Sequence, residues 1–312
     1  MKVLFHYAAG AELTAQLAAI DGLDVAVCAE DDDARLAALL PETDVLWHVL
    51  KAATAALIAA APRLRLIQKI GVGVNTIDLD AARARGIPVC NLPGSNARAV
   101  AEMTLALMFA CLRKLPAFDT ALRAGRGWSL PAEMQDGIGE LGGRTVGLIG
   151  FGAVPLALAP VLAAMGCRVL FTARTQRDAA GATWCERDAL LALADVVSLH
   201  VPMTPETAGM IDAAAIARMR PGAVLINTAR GGLVDPAALT AALRSGRLAA
   251  AGLDVFAQEP IDPADPLLAL PNVVLTPHVA WMTGETFARS VALAAENCRR
   301  LAAGESLLCR VA

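Results

Sequence analysis

TVGLIGFGAVP, residues 145–155, is a short aliphatic run, then two glycines one residue apart, then the start of a longer apolar helical pattern. Between a strand and a helix a glycine pair carries meaning. Gly150 permits the tight turn out of the strand. Gly152 lets backbone approach a cofactor pyrophosphate, whose charge is favoured by exposed N–H groups and the positive end of the helix dipole. Gly150, Phe151, Gly152, Ala153 and Val154 are therefore candidate cofactor contacts. Pro155 stands where the third glycine of GxGxxG belongs; its fixed φ suits a first helical turn, where its absent N–H needs no partner. A glycine-rich turn with no ligand is the alternative this segment alone leaves open.

A site for NAD usually carries a carboxylate at the end of the next strand, about 20 residues further on. Here the strand 168–172 runs into Ala173, Arg174, Thr175 and Gln176, with Arg177 beyond. Arg174 can pair with a ribose 2′-phosphate through its planar fork and Thr175 can donate to it, so NADP(H) is favoured over NAD(H). A solvated surface arginine is the competing reading.

Outward from this turn, short aliphatic runs alternate with helical patterns, the mark of parallel sheets covered by helices. The fold class is α/β, with two doubly wound parallel-sheet domains. Strands are expected at 3–7, 25–27, 45–49, 66–70 and 88–91, with helices beginning near Ala11, Asp33, Thr54 and Asp78. A long helix over about 97–115 leads through a Gly- and Pro-rich loop, 125–143, to strands at 145–149, 168–172, 196–199, 224–227, 250–254 and 273–275. A last helix, about 285–303, is expected to pack back on the first domain. The division is thus 1–97 and 285–312 for one domain and 98–284 for a nucleotide-binding domain inserted into it.

The 312 residues are 56% hydrophobic and 18% charged, which excludes a disordered chain, and the formal charge is −3 with no dense basic stripe, so no nucleic-acid partner is expected. Seven cysteines are scattered singly without a CxxC pair, against both a disulfide framework and a metal site. The start lacks a signal-like apolar stretch, and the apolar region 99–112 carries Glu102, so a cytoplasmic protein that does not enter a membrane is expected.

Three polar residues follow expected strands: Arg230 in INTARGGLVD, Glu259 in LDVFAQEP and His278 in LTPHVAW. Ends of parallel strands converge on one crevice, so these can share a site. Reducing a keto acid needs what they offer. A histidine protonates the carbonyl oxygen as hydride arrives, a carboxylate beside it fixes the ring and favours its charged form, and a guanidinium holds the substrate carboxylate while polarising the keto group. Singly, each also reads as a surface charge, a loop carboxylate or a hydrogen-bonded structural histidine.

Their order and surroundings resemble the D-isomer-specific 2-hydroxyacid dehydrogenase family, in its glyoxylate/hydroxypyruvate reductase-like form. The resemblance runs over about residues 66–290 through KIGVGVNTID, NLPGSNARAVAE, ELGGRTVGLIGFG, LHVPMTPET, MRPGAVLINTARGGLVD, AAGLDVFAQEP and NVVLTPHVAW. It implies a Rossmann domain inserted into a flavodoxin-like substrate domain and a homodimer joined through the nucleotide domain. It further implies that Arg230 binds substrate, Glu259 pairs with histidine and His278 is the acid/base. The Gly71–Asn75 loop, with Val72 and Gly73, would hold the substrate carboxylate on its backbone N–H groups. Thr228, Ala229 and Asp254 would lie along the nicotinamide ribose and ring, and Val201, Pro202 and Thr207 on the loop beside the adenosine. Pro155 and Ala173 depart from the family pattern.

Lys69 either attracts an anionic or hydroxylated substrate tail or snorkels to solvent, and Trp281 either roofs the pocket or packs in the core. His200 reads as structural or on the cofactor side. The expected reaction is reduction of a small 2-keto acid, glyoxylate or hydroxypyruvate first. Phosphoglycerate, phosphite or formate dehydrogenases on the same scaffold are alternatives, as is a non-catalytic, corepressor-like dinucleotide sensor. With the sequence ending at Ala312, the regulatory extension frequent in phosphoglycerate dehydrogenases is not expected.

Overall fold

Strand runs such as Val45–His48, buried at every position, are the kind that only a sheet covered on both faces can hold. The computed structural model describes residues 1–127, 137–176, 178–179 and 181–312. The chain forms two compact units, one of residues 1–96 with 282–312 and the other of residues 97–281.

The first unit begins with β1 (Lys2–His6), α1 (Ala11–Ala18), β2 (Asp24–Cys28), α2 (Asp33–Leu39), β3 (Val45–His48), α3 (Ala55–Ala59), β4 (Leu66–Lys69), α4 (Leu79–Ala84) and β5 (Val89–Cys90). Its strands lie in the order β2-β1-β3-β4-β5, all parallel, the flavodoxin-like arrangement. Asp32, Thr54 and Asp78 start α2, α3 and α4 by accepting the N–H three residues on. Leu4, Leu46, Ile58, Ile67 and Val89 fill the core under these helices.

The second unit holds α5 (Ala97–Leu112), α6 (Leu115–Arg123), β6 (Thr145–Ile149), α7 (Ala153–Ala164), β7 (Arg168–Thr172), β8 (Thr183–Trp184) and α8 (Arg187–Leu193). It continues through β9 (Val196–Leu199), α9 (Ala213–Arg218), β10 (Ala223–Asn227), α10 (Pro236–Arg244), β11 (Leu248–Leu253) and β12 (Val273–Leu275). The order β12-β11-β10-β9-β6-β7-β8, again all parallel, reverses between β6 and β9 as in a Rossmann sheet. Aliphatic clusters pack on it around Leu199, Leu225 and Leu253, and around Leu148, Leu158 and Ile226. The chain then returns to the first unit as α11 (Gly284–Ala303), capped by Thr283 and closed by Gly304 in the left-handed conformation.

One expectation is corrected. The apolar pattern read as a single helix over 97–115 is two helices, because Lys114 takes a left-handed backbone (φ 50°) that ends α5 and lets Leu115, followed by a proline, open α6. Within the expected loop 125–143, residues 128–136 lie outside the described residues, as does Arg177. All seven cysteines are free thiols. Among the described residues no helix is long and apolar enough to cross a membrane, and no group of three or more His, Cys, Asp and Glu is placed to hold a metal ion.

Candidate active site

Beyond the ends of β10, β11 and β12 three loops interlock within the second unit. Asn227, the last residue of β10, accepts from the Ala229 N–H (3.0 Å) and donates to the Arg230 carbonyl (2.8 Å), fixing the backbone that carries Arg230. Arg230 Nη1 donates to the Ala229 carbonyl at 2.6 Å. Its burial pulls the guanidinium pKa down, and the nearby Glu259 carboxylate counters that drop. The next residue explains the closeness of these loops. A Cβ at Gly231 would lie 1.9 Å from the Phe256 carbonyl carbon and 2.4 Å from the Ala257 nitrogen, so only glycine lets the loop after β10 press against the loop after β11.

That second loop carries Glu259. One carboxylate oxygen accepts the Phe256 N–H at 2.9 Å and the other meets His278 Nδ1 at 2.7 Å. Burial pushes the Glu259 pKa up, but the His278 hydrogen bond and charge, the Phe256 N–H and Arg230 outweigh it, and the net position is below the ordinary carboxylate value. His278 sits at φ 56°, a left-handed conformation that side chains with a Cβ adopt rarely. Asp254, fully buried at the end of β11, is what holds it there. One oxygen of Asp254 takes Thr276 Oγ1 (2.6 Å) and the Val279 N–H (2.9 Å), the other the Ala280 N–H (2.9 Å), and its carbonyl takes the His278 N–H (2.8 Å). Trp281, also buried, donates its indole N–H to the His278 carbonyl at 2.9 Å.

The glycine turn shows the geometry that a dinucleotide needs. Gly150 has φ 96°, and a Cβ there would lie 2.5 Å from the His200 carbonyl oxygen, so the position excludes every other residue twice over. Gly152 caps α7 with no side chain on the helix N–H groups, and a Cβ on it would meet no protein atom within 4 Å. Protein packing therefore does not select glycine at 152, whereas a pyrophosphate lying on the helix end would, and the residues fit that group. Phe151 is buried with its ring centroid 3.9 Å from that of Phe171, Ala153 is exposed, Val154 is half-buried, and Pro155 is buried in the first turn. Arg174 and Thr175 are exposed after β7, while the Ala173 carbonyl accepts the Trp184 N–H.

Thr207 Oγ1 donates to the Pro202 carbonyl at 2.7 Å and closes the loop that Val201 begins. Thr228 is buried, with its hydroxyl 3.0 Å from that of Thr104 on α5. His200 meets Ser198 Oγ at 2.9 Å, and burial pushes its pKa down to about 3, which suits a structural ring and not a second acid. Lys69, Val72 and Gly73 belong to the first unit. Lys69 is buried, with its ammonium on the Val49 carbonyl, so the snorkelling alternative is wrong: the end of a central strand gives that side chain no route to solvent. Val72 is exposed; its carbonyl accepts from Asn91.

The sequence reading gives no role to Asn227, Gly231 or Thr104, although the first two lie within INTARGGLVD, and it misses that Asp254 organises the histidine turn. The only signal for Asn227 and Asp254 is a polar residue at or just after the end of an apolar strand.

Residues 105–280 match the model for "D-isomer specific 2-hydroxyacid dehydrogenase, NAD binding domain". The chain belongs to this family. The D-3-phosphoglycerate dehydrogenase of Mycobacterium leprae is 42% identical over 88% of this chain and 52% of its own length. The glyoxylate reductase of Aeropyrum pernix is 39% identical over 80% of this chain and 76% of its own length. Among solved structures, the NADPH-dependent glyoxylate/hydroxypyruvate reductase of Sinorhizobium meliloti, in complex with NADP and malonate, superposes with a TM-score of 0.83 at 32% identity, covering 100% of this chain and 96% of that one. The chain spans about half the length of the curated phosphoglycerate dehydrogenases it matches. The family is one of NAD-dependent 2-hydroxyacid oxidoreductases, and its nicotinamide-dinucleotide-binding domain covers most of the second unit.

Proposed function

We propose that this protein reduces a small 2-keto acid to the D-2-hydroxy acid, with glyoxylate and hydroxypyruvate as the favoured substrates. The observation that carries the reading is the 2.7 Å pair of His278 and Glu259, with Arg230 close enough to bear on the Glu259 charge. A bound nicotinamide dinucleotide supplies the hydride. Gly150, Gly152 and the first turn of α7 hold its pyrophosphate, with Phe151, Ala153, Val154, Val201, Pro202, Thr207, Thr228, Ala229 and Asp254 around it. Glu259 engages Nδ1 of His278, which leaves Nε2 to deliver the proton to the carbonyl oxygen. Arg230 holds the substrate carboxylate and stabilises charge on the developing alkoxide. Backbone N–H groups around Val72 and Gly73 take the same carboxylate, Lys69 faces the substrate tail, and Trp281 braces the His278 loop.

Arg174 and Thr175, exposed where a ribose-binding carboxylate is absent, favour NADP(H) over NAD(H). The enzyme is taken to work as a cytoplasmic homodimer, which light scattering and fractionation test. Parallel assays of NADPH and NADH oxidation with glyoxylate, hydroxypyruvate, pyruvate and phenylpyruvate test the rest. Turnover fastest with NADPH and one of the first two acids is expected. Strong preference for NADH refutes the Arg174 argument, and no turnover with any keto acid refutes the activity.

A further inference from the structure

The loops that follow β10 and β11 meet at Gly231 and Phe256, and both residues also line a cavity of about 230 Å³ that belongs wholly to the second unit. Further walls are Leu239 of α10, Leu253 at the end of β11 and Leu267 of the short helical turn Pro266–Ala269, three buried leucines from three elements. Ala257 and Gln258 line it too and are exposed, so the cavity reaches the surface. Protein interiors are packed closely enough that voids larger than a water molecule are few, and a space walled by leucines holds water poorly. An enclosed apolar cavity of about 150 Å³ takes up benzene, so this one has room for a ring with a short tail.

The charge of that tail follows from the polar groups. Asn227 spends both ends of its amide on the backbone of Ala229 and Arg230. Asp265 opens the helical turn by accepting the Leu267 N–H on one carboxylate oxygen at 2.9 Å. A carboxylate offers about four acceptor positions, so this cap leaves Asp265 able to take a donor from an occupant. Among the described residues that line the cavity none is Lys, Arg or His. A carboxylate or phosphate entering it meets the Asp265 charge and no cation, which sets the cavity apart from sites for a dinucleotide or a keto acid, both anions. An ammonium finds an opposite charge.

We infer that this cavity is a binding site for a small hydrophobic amine, with the hydrocarbon body among Leu239, Leu253 and Leu267 and the ammonium on Asp265. Such binding is independent of the keto acid reduction proposed above.

The test titrates three probes that share a benzene ring and a two-carbon tail, 2-phenylethylamine, 2-phenylethanol and phenylacetate, followed by methyl 1H–13C spectra. The amine should shift the signals of Leu239, Leu253 and Leu267 through its ring current and leave that of Leu148, in the other core cluster, in place. The alcohol should bind about 10-fold more weakly, the difference between a charge-assisted and a neutral hydrogen bond, and phenylacetate should not bind. Asp265→Asn keeps an oxygen for the Leu267 N–H and removes the charge, so amine and alcohol should then bind alike in a protein of unchanged thermal unfolding. Saturating NADPH should leave the amine titration as it was. Equal binding of the three probes to the wild type, an amine preference that survives Asp265→Asn, or loss of the amine on adding NADPH each overturns the site. So does the absence of leucine shifts at millimolar amine. Should the variant not fold, the wild-type comparison of the three probes still decides.

Discussion

In the second unit the polar groups beyond the strand ends find partners within that unit. Asp254 takes three side-chain hydrogen bonds from the 276–280 turn, Glu259 takes one from Phe256 and one from His278, and Asn227 uses both ends of its amide. In the first unit, the same edge of a sheet built on the same plan carries two imidazoles, each with a nitrogen left over. The contrast separates two tasks. Proton transfer needs a ring held at one angle, and the loops proposed to carry it are braced in advance. The imidazoles of the first unit serve packing instead, and burial is the largest cause pushing both their pKa values down.

The largest expected effect tests the braced side. His278→Gln should lower kcat by about 10³-fold or more, because it removes the proposed proton donor. NADPH affinity, followed by fluorescence, should stay within a few-fold. Near-normal turnover in this variant would return the whole second-unit constellation to a structural role.

Acid stability comes next and probes both units at once. His48 and His200 are each pushed down to about 3 by burial. Between that value and the ordinary 6.5, the unfolded ring binds a proton that the folded ring refuses. Stability therefore falls as pH drops through this window, by up to about 1.4 kcal/mol per pH unit for each ring. Urea denaturation at pH 7 and pH 5 should show the loss, and His200→Asn should remove the second unit's share of it. A loss unchanged by that substitution contradicts the uncharged state of His200.

Gly231→Ala is smaller. The new methyl group drives into the backbone of Phe256 and Ala257, and should cost about 1–3 kcal/mol while lowering kcat, because Arg230 and Glu259 are spread apart. Unchanged stability in denaturant would mean that the two loops do not press on each other. The smallest effect belongs to Thr104→Ala, which removes the hydroxyl facing Thr228 and should cost about 0.5–1.5 kcal/mol, with a modest rise in the KM for cofactor.

The same contrast governs what the sequence reveals. Arg230, Glu259 and His278 are legible because each follows an apolar run inside a recognisable motif, so chemistry and position are read together. The bracing by Asp254 is not, since it spans 22 to 26 residues and exists only once β11 and β12 are paired. His6 and His48 are plainer still as sequence, single histidines 42 positions apart in aliphatic strands, and nothing short of the β1–β3 register puts them in one row. The alternation of strands and helices makes the fold class visible, whereas the break at Lys114 depends on one backbone angle inside an uninterrupted apolar pattern.

The missing side chain at Gly231 also bears on how this scaffold can change. Loops grown from neighbouring strands usually drift independently, and that freedom lets one fold host many substrates. Here the backbone of residues 256 and 257 occupies the space that a side chain at 231 would need, so the two loops must vary together. A library that randomises Ala257 and Gln258 while keeping Gly231 should yield far more folded variants than one that also randomises position 231. Selection then acts on the pair of loops as a single heritable part.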